Sequence, residues 1–158
     1  MILDSVCQGK LTLIIGDQGT GKTTLALTIA AAMLAQSATV AVIAPKADAT
    51  YLQTRTLPGA MFCAEENPPS DADLLLIDDA VLQHGLFVKL PKARRIVCVL
   101  NTGRYPVDQF SIPSGLFMEA DTILQTYFDQ IKVIKARRFY NGDTFPVQFA
   151  RGLYVGLS

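Results

Sequence analysis

Residues 16–23 read GDQGTGKT and combine glycines with a lysine and a threonine at a spacing that suits the binding of phosphate groups. Their order satisfies G-x-x-x-x-G-K-[ST], between the apolar run LTLII and an Ala- and Leu-rich run that begins at Lys22. Glycines permit a tight turn whose N–H groups face one anion, and the start of a helix adds partial positive charge there. The segment predicts a phosphate-binding loop between a strand and a helix; the alternative is a Gly-rich turn that only caps a helix.

Three side chains of this segment have separate predicted roles in nucleotide binding. Lys22 is a cation for the β- and γ-phosphates, and the Thr23 hydroxyl is a ligand for the Mg²⁺ that accompanies them. Thr24, one position further along the helix, is expected beside the α-phosphate. We expect ATP and Mg²⁺ as the ligands. The predicted nucleotide-binding residues are Gly16, Asp17, Gln18, Gly19, Thr20, Gly21, Lys22, Thr23 and Thr24.

A second predicted element is a carboxylate for the metal, at the end of a neighbouring strand. The run LLLIDD, residues 74–79, has four apolar residues followed by two acids. The carboxyl ends of parallel strands form the edge at which such sheets bind ligands. Asp78 is therefore the predicted Mg²⁺ carboxylate, although strands also end in Asp because this residue favours turns.

Hydrolysis also needs a group that orients or deprotonates a water molecule. The candidates are Asp79, next to the metal carboxylate, and Glu65 or Glu66, which follow an apolar run. A solvated turn is the alternative for either glutamate. Asn101 ends another apolar run and is a candidate sensor of the γ-phosphate. The sequence leaves the choice of catalytic carboxylate open.

The elements that must position these residues alternate along the first two thirds of the chain. Apolar, strand-like runs are separated by helix patterns, which is the rhythm of a parallel α/β sheet covered by helices. The predicted strands are residues 11–15, 39–43, 60–64, 74–78 and 96–100, and the predicted helices are residues 22–35, 47–54 and 80–88.

The last third changes to β-rich runs from Asp121 onward, and Asn141-Gly142 between two of them is typical of a hairpin. We expect an antiparallel extension there and so a mixed sheet. The segment 102–117, with two prolines and two glycines, predicts a long functional loop. A length of 158 residues fits one domain, spanning residues 1–158.

Composition narrows the function classes. Half of the chain is apolar, 18% is charged and the net charge is zero, as in a compact globular protein. Residues 1–81 carry nine acidic and four basic residues, and residues 82–158 carry five and ten. This asymmetry suits head-to-tail self-association or a basic surface that binds nucleic acid. It is equally compatible with charged side chains that are simply solvated.

Three scattered cysteines and one histidine argue against a zinc site or disulfides. No apolar run reaches membrane-spanning length, so we expect a cytoplasmic location.

Two groups of segments resemble the RecA-superfamily ATPases, above all their KaiC, RadA/Sms and DnaB-like branches. The first group is GKLTLI at residues 9–14 and TLAL at residues 24–27, on either side of the loop. The second is EADTI at 119–123, IKVIKAR at 131–137 and FPVQF at 145–149. The resemblance covers nearly the whole chain. It implies a RecA-like core, mostly a parallel sheet flanked by helices, with a C-terminal antiparallel extension.

The resemblance also implies an assembly. RecA-like ATPases form rings or filaments with nucleotide between subunits, and a Lys-x-Arg strand reaches the γ-phosphate of the neighbour; Lys135 and Arg137 match that strand. An exposed basic strand edge is the alternative. In DNA-binding members the segment after the fifth predicted strand lines a central channel, so Arg104, Tyr105 and Phe110 are candidate contacts to single-stranded DNA. A protein partner also fits this picture.

We therefore expect an ATPase that converts ATP and water to ADP and phosphate, self-assembles, and works with nucleic acid in replication, recombination or repair. One departure from the family pattern is the lack of an acid directly after residues 39–43, where a catalytic glutamate is usual; the first acid is Asp48. Either another carboxylate has this role or turnover is slow. Two alternatives stay open: a small-molecule P-loop kinase, which needs a helical C-terminus and an Arg-bearing lid, and a nucleotide-binding scaffold with little turnover.

Overall fold

A computed structural model gives the fold of the chain. It describes residues 9–17, 19–43, 57, 59–62, 71–81, 93–101, 112, 114–136, 142–150 and 153–155. The helices are α1 (Lys22–Ala35) and α2 (Ser114–Glu119). The strands are β1 (Leu11–Gly16), β2 (Val40–Ile43), β3 (Met61–Phe62), β4 (Leu74–Val81), β5 (Arg95–Asn101), β6 (Thr122–Thr126), β7 (Gln130–Lys135), β8 (Thr144–Pro146), β9 (Gln148–Ala150) and β10 (Leu153–Val155).

Eight of these strands form one mixed sheet in the order β3-β2-β4-β5-β1-β6-β7-β8. All pairs from β3 across to β6 are parallel, and β7 and β8 are antiparallel to their neighbours. The strands β9 and β10 form a separate antiparallel pair. The α/β class, the mostly parallel sheet and the antiparallel C-terminal strands agree with the sequence-based expectation.

The structure corrects four details of that expectation. The antiparallel part begins one strand later than Asp121 indicated, because β6 pairs in parallel with β1. The strand expected at 60–64 is present as β3, and residues 63–64 lie outside the described residues. The strand β4 runs on to Val81, so residues 80–81 of the helix expected at 80–88 are strand, and residues 82–88 lie outside the described residues. The predicted loop 102–117 contains the start of α2, and β9 and β10 leave the main sheet. The helix expected at 47–54 lies outside the described residues.

The strands have continuous apolar sequences because both faces of the sheet are covered. Successive side chains of a strand point to opposite faces, and here they enter two separate buried clusters. Ile14 belongs to the cluster under α1, whereas Leu13 and Ile15 belong to the cluster on the other face, which includes Leu116 of α2. This alternation decides which polar side chains at the strand ends meet α1.

The helix α1 is buried along its middle on more than one side. All six consecutive residues from 25 to 30 are buried. A helix that is buried around its circumference must have partners on both sides. The sheet supplies one partner, and Tyr154 of β10, in the same apolar cluster, supplies another. Among the described residues, no helix is long and apolar enough to cross a membrane.

Cys98 is a buried thiol in the middle of β5. Its burial raises the pKa of the thiol to about 12, because a thiolate there would lose its hydration. Cys98 is therefore a small apolar core residue. Cys7 and Cys63 lie outside the described residues.

The start of β1 is fixed by a carboxylate from the other end of the chain. Asp121, which directly precedes β6, accepts hydrogen bonds from the backbone N–H of Lys10 at 2.7 Å and of Leu11 at 3.3 Å. Its own N–H donates to the carbonyl of Leu11 at 2.9 Å. Gly9 leaves room for this arrangement, since a Cβ at that position would overlap the Asp121 side chain. These contacts set the register of β1 against β6. They therefore also set where β1 ends relative to its neighbouring strands.

Replacing Gly9 with Ala should therefore lower the free energy of unfolding by about 1–3 kcal/mol, as overpacking does elsewhere. Gly115→Ala is the matched control, because a Cβ at Gly115 meets nothing within 4 Å. Urea denaturation of both variants measures the difference. Equal stability of the two variants would contradict the role given to Gly9.

Candidate phosphate-binding site

The loop between β1 and α1 has the backbone shape that its glycines allow. Gly19 and Gly21 have φ angles of 78° and 91°, in the left-handed region that side chains with a Cβ seldom adopt. Gly21 is the N-cap of α1, and its carbonyl accepts the first helical hydrogen bond from the N–H of Leu25 at 2.9 Å. The strand, loop and helix predicted around GDQGTGKT are therefore present in that order.

The positive end of α1 lies within this loop. The first four N–H groups of a helix have no partner within it, and they carry its partial positive charge. The first turn of α1 holds no acidic residue that would cancel this charge. Lys22, the first residue of α1, extends its amine back over the loop and donates to the carbonyl of Gly16 at 2.9 Å. Two sources of positive potential thus coincide at one place.

The predicted metal carboxylate meets the predicted metal hydroxyl. Thr23 donates a hydrogen bond from Oγ1 to Oδ1 of Asp78 at 2.9 Å. Asp78 follows the alternation of β4, since Leu74 and Leu76 contribute to the cluster under α1 and Asp78 is the next position on that face. Only 7% of Asp78 is exposed, so its carboxylate lies in a protected position beside the helix start.

The strand β4 is irregular at these acids. Ile77 pairs with Cys98 and Ala80 pairs with Leu100, so Asp78 and Asp79 together oppose a single residue of β5. Such a bulge bends a strand and redirects its side chains, and bulges often lie next to active sites. The backbone of Asp79 is part of β4, but its side chain is outside the described part of the structure.

The chemistry of Thr23 and Asp78 suits Mg²⁺. Both offer hard oxygen donors, and protein Mg²⁺ sites commonly use one or two protein oxygens and complete the octahedron with phosphate oxygens and water. Within the described ranges no three His, Cys, Asp or Glu residues cluster as metal ligands. The residues present thus fit a cation that binds together with a phosphorylated ligand.

The loop is also held by two hydroxyl-bearing residues that were not among the predicted site residues. The hydroxyls of Thr20 and Thr126 are 2.8 Å apart, and Thr20 Oγ1 donates to the carbonyl of Asp17 at 2.6 Å. Tyr154 donates from its hydroxyl to the carbonyl of Thr20 at 3.3 Å. Thr126 could have been found by the signal that identified Asp78, a polar residue at the end of an apolar strand. Tyr154 has no such local signal.

The remaining predicted loop residues differ in how far the structure describes them. Asp17 is exposed and contributes its carbonyl to the loop, while Thr24 is half-buried in the first turn of α1 and its carbonyl accepts from Thr28 Oγ1 at 2.8 Å. Gln18, Glu65 and Glu66 lie outside the described residues.

Asn101 is the last residue of β5. Its neighbour strand β1 runs in parallel, with Ile14 paired to Val99, so the backbone of Asn101 reaches the same sheet edge as Gly16. This is the edge predicted for a γ-phosphate sensor. The side chain of Asn101 is not described.

Lys135 lies toward the end of the strands that is opposite to the phosphate-binding loop. Ile123 pairs with Lys135, whereas Thr126 pairs with Gly16, so Lys135 is three residues of strand, about 10 Å, away from the loop edge. Its amine donates to the carbonyls of Phe117 at 2.8 Å and Met118 at 3.1 Å, in the last turn of α2. Arg137, the second predicted finger, lies outside the described residues. So do Arg104, Tyr105 and Phe110, the predicted contacts to single-stranded DNA.

Comparison with known proteins gives a likeness of fold. No protein-family model and no curated protein sequence matches the chain. Among solved structures, the flagellar accessory protein FlaH from Methanocaldococcus jannaschii matches with a TM-score of 0.54 and 12% sequence identity. The match covers 90% of this chain and 87% of FlaH. At this level of identity the similarity shows a shared fold and no shared role.

The two left-handed glycines of the loop provide a stability test. Ala at either position adopts an unfavourable backbone conformation, at a cost of about 1–2 kcal/mol. A Cβ at Gly19 meets nothing within 4 Å, whereas a Cβ at Gly21 would overlap the hydroxyl of Tyr154. Gly21→Ala should therefore reduce the free energy of unfolding by more than Gly19→Ala does.

The additional loss of stability in Gly21→Ala should become smaller when Tyr154→Phe removes the overlapping hydroxyl. Chemical denaturation of the single and double variants therefore forms a double-mutant cycle. An identical cost for Gly19→Ala and Gly21→Ala would contradict the close contact between Gly21 and Tyr154.

Proposed function

We propose that this protein binds a nucleoside triphosphate together with Mg²⁺ in the loop at residues 16–23 and hydrolyses the terminal phosphate. The expected nucleotide is ATP. The observation that carries the proposal is the 2.9 Å hydrogen bond between Thr23 and Asp78, formed beside Lys22 at the start of α1. A Gly-rich turn that only caps a helix does not need a buried carboxylate from a strand that is distant in sequence. A cation site next to a phosphate site does.

Binding follows from charge and from hydrogen-bond exchange. A triphosphate carries several negative charges, which the helix start and Lys22 attract together. Lys22 donates to the neutral carbonyl of Gly16, and exchanging that acceptor for a phosphate oxygen would pair the ammonium with an anion. Thr23 and Asp78 would hold the Mg²⁺, which neutralises phosphate charge when it is bound.

Hydrolysis requires a group that positions the attacking water. Asp79 is the first candidate because the bulge places its backbone next to Asp78, at the loop edge of the sheet. Glu65 and Glu66 remain candidates on their sequence position alone. Asn101, whose backbone lies at the same edge, is the proposed γ-phosphate sensor.

The kinase alternative is less compatible with the fold. A small-molecule P-loop kinase of this size needs a helical C-terminus over its acceptor site. The described C-terminal part instead consists of the strands β7, β8, β9 and β10. The scaffold alternative differs from the proposal only in turnover, so phosphate release at high protein concentration decides between them.

Lys22→Ala should weaken binding of a fluorescent ATP analogue by about ten- to a hundredfold, as the loss of a charge-assisted hydrogen bond predicts. The variant should stay folded, since Lys22 is half-buried and points over the loop. Equilibrium titration measures binding and circular dichroism checks the fold. Wild-type affinity in this variant would remove the site assignment.

The metal role of Thr23 has its own matched pair of variants. Thr23→Ser keeps the hydroxyl and should retain Mg²⁺-dependent binding and phosphate release, whereas Thr23→Val removes the hydroxyl at similar volume and should lose the Mg²⁺ dependence. Titrations with Mg²⁺ and with EDTA compare the two. Equal Mg²⁺ dependence in both variants would show that the hydroxyl is not a ligand.

Self-assembly is part of the proposal because of where Lys135 lies. Lys135 lies toward the end of the strands that is opposite to its own loop, which favours a contact to the γ-phosphate of a second copy. Lys135 would have to leave the carbonyls at the end of α2 to make that contact. Arg137 is the second proposed finger, and single-stranded DNA, met by Arg104, Tyr105 and Phe110, is the proposed stimulating polymer.

Arg137→Ala should lower kcat by about a thousandfold with nucleotide affinity nearly unchanged, as is found for trans-acting arginines. Mixing Arg137→Ala with Lys22→Ala should restore part of the activity, because each variant keeps the half-site that the other lacks. Phosphate release is measured with and without single-stranded DNA. An equal loss of affinity and kcat, or no recovery on mixing, would contradict the trans role.

A further inference from the structure

The strand β10 contacts the phosphate-binding loop at a specific peptide group. The hydroxyl of Tyr154 donates to the carbonyl oxygen of Thr20 at 3.3 Å. That carbonyl belongs to the peptide unit whose N–H is that of Gly21. Gly21 is the N-cap of α1, so this N–H lies at the helix start. The contact joins residues that are 134 positions apart in sequence.

A hydrogen bond to one side of a peptide unit fixes the direction of the other side. In a trans peptide the carbonyl oxygen and the amide hydrogen point in opposite directions, and the described residues contain no cis peptide. Tyr154 belongs to the buried cluster under α1, so the Thr20 carbonyl is directed toward the protein. The N–H of Gly21 is therefore directed away from it, toward the side where a phosphate would lie.

The Thr20–Gly21 peptide has particular need of such a contact. Gly19 and Gly21, on either side of Thr20, both have left-handed φ angles of 78° and 91°. Glycine populates both signs of φ about equally, so rotation of this peptide meets little steric resistance from its own chain. The direction of the Gly21 N–H then depends on groups outside the loop.

Tyr154 is itself firmly placed. Its N–H donates to Thr28 Oγ1 at 3.0 Å, and Thr28 in turn donates to the carbonyl of Thr24 at 2.8 Å, within the first turns of α1. Tyr154 also pairs with Phe149 of β9. Only 9% of Tyr154 is exposed, and this burial raises the pKa of its phenol, so the hydroxyl keeps its proton and remains a donor at neutral pH.

A second contact holds the same residue from another direction. The Thr126 hydroxyl, at the end of β6, lies 2.8 Å from the hydroxyl of Thr20. Thr126 therefore fixes the side chain of Thr20, and Tyr154 fixes its carbonyl. The two contacts come from different sheets and are not redundant, because only the contact from Tyr154 acts on the peptide that carries the Gly21 N–H.

We propose that Tyr154 is a positioning residue for triphosphate binding, whose hydroxyl orients the Thr20–Gly21 peptide so that the Gly21 N–H faces the phosphates. The docking of β10 on α1 and the occupancy of the loop are then coupled. This inference rests on the proposed function, because it assigns a role within the same site. It adds a residue of β10 to a site otherwise built from β1, α1, β4, β5 and β6.

Tyr154→Phe tests the role, since it removes the hydroxyl and keeps the ring. Inorganic triphosphate is the probe because it reports on the loop without a nucleoside. We expect its Kd to rise about three- to tenfold, the effect of one hydrogen bond. Tyr127→Phe is the matched control, because the Tyr127 hydroxyl has no hydrogen-bond partner among the described residues, and it should leave the Kd unchanged.

The pattern of effects distinguishes the proposed positioning role of Tyr154 from a purely structural role. In that case Tyr154→Phe would lower the unfolding temperature but leave the Kd of the folded protein unchanged, and this result would overturn the inference alone. A wild-type chain that binds neither ATP nor inorganic triphosphate would overturn the proposed function and the inference with it.

A measurement on the wild-type chain covers the case in which Tyr154→Phe does not fold. Coupling is reciprocal, so triphosphate should slow hydrogen exchange of the Tyr154 amide, which lies far from the ligand in sequence. The Gly21 amide resonance should shift strongly on titration, as expected for an N–H that donates to phosphate. Binding without either change would overturn the inference.

Discussion

A backbone loop that binds phosphates must keep its N–H groups for the ligand, so it has to be held in shape through its carbonyls and side chains. Most contacts at residues 16–23 follow this division, and the N–H of Thr20, which donates to the carbonyl of Asp17 at 3.3 Å, is an exception. Lys22 and Tyr154 donate to loop carbonyls, and Thr20 is tied by its hydroxyl to Thr126. Such a loop depends on the rest of the fold, because Thr126 and Tyr154 come from outside residues 16–23. The rest of the fold positions these groups around the loop.

The sheet positions the residues of the site through two simple geometric rules. Parallel strands end at a common edge, which brings Gly16, Thr126 and Asn101 to one level. Alternation along a strand then selects the face, and it turns Asp78 toward α1 with the apolar residues that precede it. The register of β1 is in turn fixed by the Asp121 carboxylate at the far edge. A contact at one end of the sheet therefore helps to set the position of the loop at the other.

The parts of the site that were predictable from sequence are those encoded locally. The strand, loop and helix around Gly16 and Lys22 are contiguous, and the position of Asp78 beside the start of α1 follows from an apolar run that ends in an acid. The direction of β6 was not predictable, because an apolar run has the same period in a parallel and an antiparallel strand. The extension of β4 was missed because Asp78-Asp79 resembles a turn. Tyr154 was missed because its role depends on a contact between distant segments.

The dependence of the loop on Tyr154 has a consequence for biosynthesis. The segments β1 and α1 leave the ribosome early, whereas the residue that braces the loop between them is translated 134 positions later. A nascent chain thus contains the complete GDQGTGKT sequence long before it contains the strand that orients its backbone. Under the proposed role of Tyr154, chains that carry the motif but stop before β10 should bind a triphosphate more weakly than chains that include β10.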